Sequence, residues 1–154
     1  MLVVSNTTPL RYLIEIEQEQ ILFALYGGCL IPQAVAEELK DPKAPAKIRK
    51  WMENLPDWIS IEEIAVDCAP DLMILDRGEI AAITLAETRK ADLLLIDEKL
   101  GRRIAKERGI VTSGTLGIIK CASEKKLINL EETISNLQKT SFRFSSKLLD
   151  RINQ

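Results

Sequence analysis

Apolar and polar positions along this chain change period several times. Leu2 to Ser5 is a short apolar run that meets Asn6-Thr7-Thr8-Pro9. This predicts a strand, a short loop and a helix with Thr8 as N-cap and Pro9 at the first helical position. Leu10, Leu13, Ile14, Ile21, Leu22 and Leu25 keep helical spacing as far as Gly27-Gly28, where the pattern must break. The polar stretch Glu15 to Gln20 divides it into two short helices. Cys29 to Ile31 is the next strand, and Pro32 opens a helix carrying Val35 and Leu39 on one face. Pro42 and Pro45 lead to an amphipathic helix around Ile48 to Leu55, closed by Pro56, and a further strand falls within Trp58 to Ile64.

After Pro70 a brief helical piece precedes Asp76-Arg77-Gly78-Glu79 and a largely apolar helix from Ile80 to about Arg89. The stretch Ala91 to Asp97 then carries Leu93 to Ile96 without alternation and stops at Asp97, Glu98 and Lys99. A strand with no alternation is apolar on both faces, as in the middle of a parallel sheet. Ligands of open α/β sheets sit beyond the carboxyl ends of the strands, so Asp97 is a candidate site residue.

A helix near Leu100 to Arg108 ends at Gly109, and Ile110 to Thr112 is a last short strand. Ser113-Gly114-Thr115 precedes a helix through Leu116, Ile119 and Cys121, and Leu130, Ile134 and Leu137 mark another. In the tail Phe142 and Phe144 alternate, and Leu148, Leu149 and Ile152 resume helical spacing. Strands alternating with helices predict the fold class α/β, a three-layer α/β/α arrangement with a parallel sheet of about four or five strands. At 154 residues and 46% hydrophobic, residues 1–154 are expected to form a single domain.

The formal net charge of −2 argues against nucleic-acid binding through bulk positive charge, so such binding would need a local basic patch. No apolar run reaches the ~20 residues that span a bilayer, and the N-terminus lacks the plan of a secretion signal. The expected location is cytoplasmic. Cys29, Cys68 and Cys121 are scattered in apolar surroundings, which predicts buried free thiols rather than a disulfide or zinc framework. The chain has no histidine, which removes Ser-His-Asp and Cys-His chemistry.

Four polar positions fall where the elements of such a sheet converge: Asn6, Glu38, Glu79 and Asp97. Oxygen ligands without imidazole or thiolate suit a hard cation, Mg²⁺ or Mn²⁺. A cation so held can activate water and stabilise charge on a phosphodiester. Val35 and Leu39 define the buried direction of their helix, which places Glu38 about 80° from its centre and Glu37 about opposite. Glu38 can therefore reach a cleft, although a solvated helix carboxylate would look the same. Asp76 and Glu79 have capping-box spacing, which by itself would account for both, and Asp97 could equally be a turn residue capping the next helix. Lys99, Arg102, Arg103 and Lys106 form one helical stripe, either a guide for a phosphate backbone or a solvated face.

With these residues in place the sequence resembles the PIN-domain superfamily, in particular VapC-type ribonuclease toxins and their close relatives. The resemblance is carried by Val-Val-Ser-Asn-Thr-Thr-Pro-Leu near the N-terminus, Ile-Pro-Gln-Ala-Val-Ala-Glu-Glu-Leu from Ile31 and Leu-Asp-Arg-Gly-Glu-Ile-Ala-Ala from Leu75. Leu-Leu-Leu-Ile-Asp-Glu-Lys-Leu-Gly-Arg-Arg-Ile-Ala from Leu93 and Gly-Thr-Leu-Gly from Gly114 complete it. It implies a compact α/β/α nuclease fold, a divalent metal, cleavage of RNA, and toxin activity restrained by an antitoxin protein. Family ligands carry over to Glu38, Glu79 and Asp97, with Glu98 as an auxiliary acid and Thr7 or Thr115 as hydroxyl contacts. The family pattern has aspartate where this chain has Asn6. An amide still offers an oxygen but brings no charge, so the cation should be held more weakly.

The leading expectation is thus a Mg²⁺- or Mn²⁺-dependent endoribonuclease. Glu38, Glu79 and Asp97 would hold the metal, Asn6 would orient the water at the metal or the scissile phosphate, and Lys99, Arg102, Arg103 and Lys106 would engage RNA. The rival is a catalytically inactive PIN-fold protein that binds RNA or a protein. A third reading, a doubly wound phosphate-handling enzyme with a nucleophilic strand-end aspartate, lacks a second such aspartate. Leu13, Leu22 and Phe23 exceed the obvious needs of one small core, and together with the resemblance they suggest a homodimer.

Overall fold

The computed structural model describes residues 1–66 and 69–144; Cys68, Leu148, Leu149 and Ile152 lie outside them. The chain runs β1 (Val3–Ser5), α1 (Thr7–Glu15), α2 (Gln20–Tyr26), β2 (Cys29–Pro32), α3 (Gln33–Lys40), α4 (Ala46–Glu53) and β3 (Ile59–Glu62). It continues with α5 (Arg77–Thr88), β4 (Leu93–Leu95), α6 (Lys99–Glu107), β5 (Thr112–Ser113), α7 (Thr115–Glu124) and α8 (Leu130–Gln138). The five strands form one sheet in the order β3-β2-β1-β4-β5, and every pair is parallel. This is a three-layer α/β/α architecture.

Both faces of the sheet are covered, which explains the unbroken apolar runs. Val3, Ile31 and Leu95 point to a core built with α1–α4, α7 and α8. Their neighbours Val4, Leu30 and Leu94 point to a second core against α5 and α6. Strand direction makes the functional consequence. The chain leaves β1 toward β2 on one side and later returns to β4 on the other, so the carboxyl ends of β1 and β4 lie side by side. Such a reversal of strand order opens a crevice beyond the sheet.

Several boundaries differ from expectation. Asn6, rather than Thr8, is the residue before α1, and Pro9 is its third residue. Amides of a first helical turn have no partner inside the helix, so proline loses nothing there. Pro32 belongs to β2 and precedes α3 instead of opening it. The last strand is Thr112–Ser113 rather than Ile110–Thr112. Gly109 turns the chain with φ +77° and buries Ile110 in the second core, so only the residues after it can run along β4. The piece after Pro70 consists of hydrogen-bonded turns, Leu72 N to Ala69 O and Met73 N to Pro70 O, and not a helix.

Leu13 and Leu22 are fully buried in the first core and supply no surplus apolar surface; of that trio only Phe23 is exposed. Cys29 is buried and Cys121 half-buried, both as free thiols. Burial pushes the Cys29 thiol up to about 12, which leaves it unreactive. Arg108, just after α6, ties the turn at Asp71 with bonds of 3.0 and 2.7 Å and also reaches Glu87 on α5. Among the described residues no helix is long and apolar enough to cross a membrane.

Candidate active site

Asp97 follows β4 by two residues, and Asn6 directly follows β1. The Asn6 amide donates to Leu95 O at 2.8 Å, which stitches the two strand ends together. Asp97 is half-buried and receives two bonds from Thr115 at the start of α7, from the amide to Oδ1 at 2.7 Å and from the hydroxyl to Oδ2 at 2.6 Å. Burial raises its pKa, and Glu98 adds to the rise. The Thr115 bonds and the nearby Arg102 guanidinium oppose it. Capping thus describes part of what Asp97 does, but it caps α7 across space and not the helix that follows it in sequence.

Glu79 is buried in the first turn of α5, a costly place for a carboxylate. Its amide donates to Asp76 Oδ1 at 2.8 Å, so the forward half of the capping box is formed. Burial pushes the carboxyl up to about 8, and the carboxylates of Asp76, Glu98 and Glu38 push it the same way. Glu79 therefore sits within electrostatic reach of the cap of its own helix and of acids from two other elements, Glu38 on α3 and Glu98 at the start of α6.

Glu38 is exposed near the end of α3, where Oε2 accepts from the Thr7 hydroxyl at 2.6 Å. Its neighbour Glu37 turns away to Arg77, at 2.7 Å. Asn6 is buried, and its Oδ1 has no hydrogen-bond partner. An unmet amide oxygen inside a protein carries a desolvation cost that a cation or a donor from a ligand would relieve.

Three glycines seat the three carboxylates. A Cβ on Gly78 would collide with Glu38 Oε1; one on Gly101 would stand 2.9 Å from Glu79 Oε2, and one on Gly114 2.7 Å from Asp97 Oδ1. Each glycine lies at the start of a helix, which lets a helix end approach an acid from another element or turn. These seats were not anticipated from the sequence. Their signal was the placing of Gly78 beside Glu79, Gly101 four residues after Asp97, and Gly114 before Thr115.

The donor set is all oxygen, and it includes an unpartnered amide and a carboxyl crowded by like charges. This chemistry fits Mg²⁺ or Mn²⁺. Among the described residues, however, no three Asp, Glu, Cys or His side chains are gathered tightly enough to enclose a cation. Glu79 lies within electrostatic reach of Glu38 and Glu98, Asp97 within reach of Glu98, and Thr7 holds the Glu38 carboxylate.

The basic stripe divides. Lys99 and Arg102 line a cleft of about 600 Å³ that also contains Asp97 and Glu98. Arg103 and Lys106 do not line that cleft; they border an adjoining depression that shares Lys99 and Arg102 with it, and Arg103 pairs with Glu107 at 3.8 Å. Lys120 and Arg143 complete the basic wall of the first cleft, with Tyr12, Ser141 and Phe142 beside them. Lys120, Arg143 and Tyr12 carried no sequence signal, because they converge from three distant segments.

A family model described as PIN domain matches residues 2–154 of the chain. No curated protein sequence matches it.

Proposed function

Because the chain belongs to the PIN-domain family, we propose that it is a divalent-cation-dependent endoribonuclease of the kind found as the toxin of a toxin–antitoxin pair. The observation that carries this reading is Glu79, buried at the start of α5 within reach of the carboxylates of Asp76, Glu98 and Glu38, together with an Asp97 at the end of β4 whose two oxygens are braced by Thr115. A buried carboxyl with other acids around it is costly to ionise unless a cation joins it, and such perturbed groups cluster where chemistry occurs.

Glu79 and Asp97 would hold Mg²⁺ or Mn²⁺ with Glu38 completing the set, and the cation would supply water activation and charge stabilisation at the phosphodiester. The chain's own groups do the remaining work. Thr115 fixes the Asp97 carboxylate so that it need not reorganise when a ligand arrives. Asn6, whose buried Oδ1 is unpartnered, would offer a neutral oxygen, Thr7 would keep Glu38 in place, and Glu98 would add negative charge. Lys99 and Arg102 line the same cleft as Asp97 and would suit phosphates near the bond to be cut. With both Asp97 oxygens engaged by Thr115, a nucleophilic role for that carboxylate has little support.

Incubating the protein with RNA and Mn²⁺ or Mg²⁺ tests the reading. Wild type should cleave, and Asp97→Asn should lose at least ~100-fold, since even supporting residues around a metal cost 10–100-fold. Equal activity of the two proteins would overturn it.

Asn6 favours a second reading, a PIN-fold protein that binds RNA or a protein without cutting, since the amide removes one charge from the site. Nuclease activity that appears only in Asn6→Asp would decide for that alternative. A protein antitoxin, a homodimer and a cytoplasmic location accompany the proposal through the family likeness; size measurement with and without co-expressed neighbours tests the first two.

A further inference from the structure

The segment after α8 returns across the molecule and forms one wall of the cleft that holds Asp97. Thr140 Oγ1 donates to Leu137 O at 2.6 Å and accepts from the Phe142 amide at 3.1 Å, which fixes the turn out of the helix. Ser141 and Tyr12 share a hydrogen bond of 2.9 Å between their hydroxyls. The Phe142 ring stands edge-on to Tyr12 at 5.1 Å and to Phe144 at 5.0 Å. Pinned in this way to α1, the segment brings Arg143 to the same cleft as Arg102 on α6 and Lys120 on α7.

The state of the two arginines separates them from the other described arginines. Among the described residues Arg11, Arg77, Arg89, Arg103 and Arg108 pair with carboxylates, and Arg49 donates to the Ala44 carbonyl. Among the described residues Arg102 and Arg143 make neither an ion pair nor a side-chain hydrogen bond, and Lys99 and Lys120, like most of the described lysines, make none either. Four cations share this cleft with only two carboxylates, Asp97 and Glu98, and none of the four is bound to either by an ion pair, so the wall away from Asp97 favours anions although the chain as a whole is acidic.

We propose that Lys120 and Arg143, with Arg102, form a phosphate-binding track for single-stranded RNA that leads to Asp97, built partly by the Tyr12-anchored segment 139–144. The ligand class rests on the ribonuclease reading above. A single strand fits better than a duplex, because the cleft is a local concavity of about 600 Å³ edged by aromatic rings. Stacking and a charged groove are how single strands are held.

The test is fluorescence anisotropy with a labelled single-stranded oligoribonucleotide in EDTA, over a range of salt, so that binding is read without cleavage. Wild type should bind. Lys120→Ala/Arg143→Ala should bind at least ~10-fold more weakly at low salt, with a salt slope smaller by about 1.4, since each lost contact to a single strand removes ~0.7. Lys50→Ala/Lys125→Ala, with the same change in net charge outside the cleft, should bind like wild type, and thermal melts check that all three proteins fold. Equal losses in the two double variants, no loss in either, or duplex RNA bound as tightly as single strand would overturn the track. Displacement of the oligonucleotide by polyglutamate at lower concentration than by unlabelled RNA would also overturn it and assign the cleft to an acidic protein. Binding without cleavage on adding Mn²⁺ would sink the nuclease reading while leaving the track intact.

Discussion

Thr115 meets both oxygens of Asp97, with its amide at 2.7 Å and its hydroxyl at 2.6 Å. Thr115→Val keeps shape and amide but leaves Oδ2 without its donor inside a largely desolvated site. The expected cost is ~1–2 kcal/mol in urea denaturation. The Asp97 carboxyl, released from one lowering influence, should titrate higher than in wild type by carboxyl NMR. An unmoved titration would show that the hydroxyl does not hold the carboxylate.

Glu79 makes stability depend on pH in a direction opposite to most carboxylates. Its folded pKa is raised from 4.5 to about 8, so between those values the native state holds a proton that the unfolded chain has lost. Its stabilising contribution is complete below 4.5 and disappears as pH rises through about 8. Glu79→Gln cannot ionise, and should therefore raise stability by ~1–2 kcal/mol at pH 8 and change little at pH 4.5. Thermal melts at the two pH values check this; a variant less stable than wild type at pH 8 contradicts it.

Gly101 and Gly109 offer a matched pair. A Cβ at Gly101 would meet Glu79 Oε2 at 2.9 Å and Ile96 Cδ1 at 2.8 Å. Gly101→Ala should cost ~1–3 kcal/mol from overpacking, less the ~1 kcal/mol that alanine gains in a helix, and should weaken Mn²⁺ binding. Gly109 has φ +77° and open space around it. Gly109→Ala should cost ~1–2 kcal/mol through backbone strain alone and leave Mn²⁺ binding unchanged. Calorimetric titration of both variants distinguishes damage to the site from damage to the fold.

Asn6→Asp places a further charge beside a crowded set of acids. Without metal it should melt lower than wild type, and Mn²⁺ should raise its melting temperature more than it raises that of wild type. A variant indifferent to Mn²⁺ would remove Asn6 from the site.

Much of the fold could be read because strand residues such as Leu93 to Leu95 face apolar layers on both sides, a demand that local composition states openly. The site was readable in part for a different reason: Asn6 and Asp97 stand at strand ends, where backbone direction alone aims them at the crevice. Boundaries failed where a single residue carried the decision, as when Gly109 turned Ile110 into the core and displaced β5. Of the basic wall, Lys99 and Arg102 could be read as a helical stripe, and Lys120 and Arg143 could not. Arg143 reaches the cleft only because Tyr12, more than a hundred positions earlier, anchors its neighbours, and no local period encodes such a meeting.

The edge strand β5 is two residues long. A peptide that tried to extend the sheet beside the cleft would find main-chain partners for hardly one step, and so could gain little from backbone hydrogen bonds. Whatever occupies that cleft must be chosen by side chains. Selectivity there is consequently open to change by single substitutions at Lys120, Arg143 or Tyr12 without altering the sheet, which gives related chains an inexpensive route to diverge in what they bind while keeping one architecture.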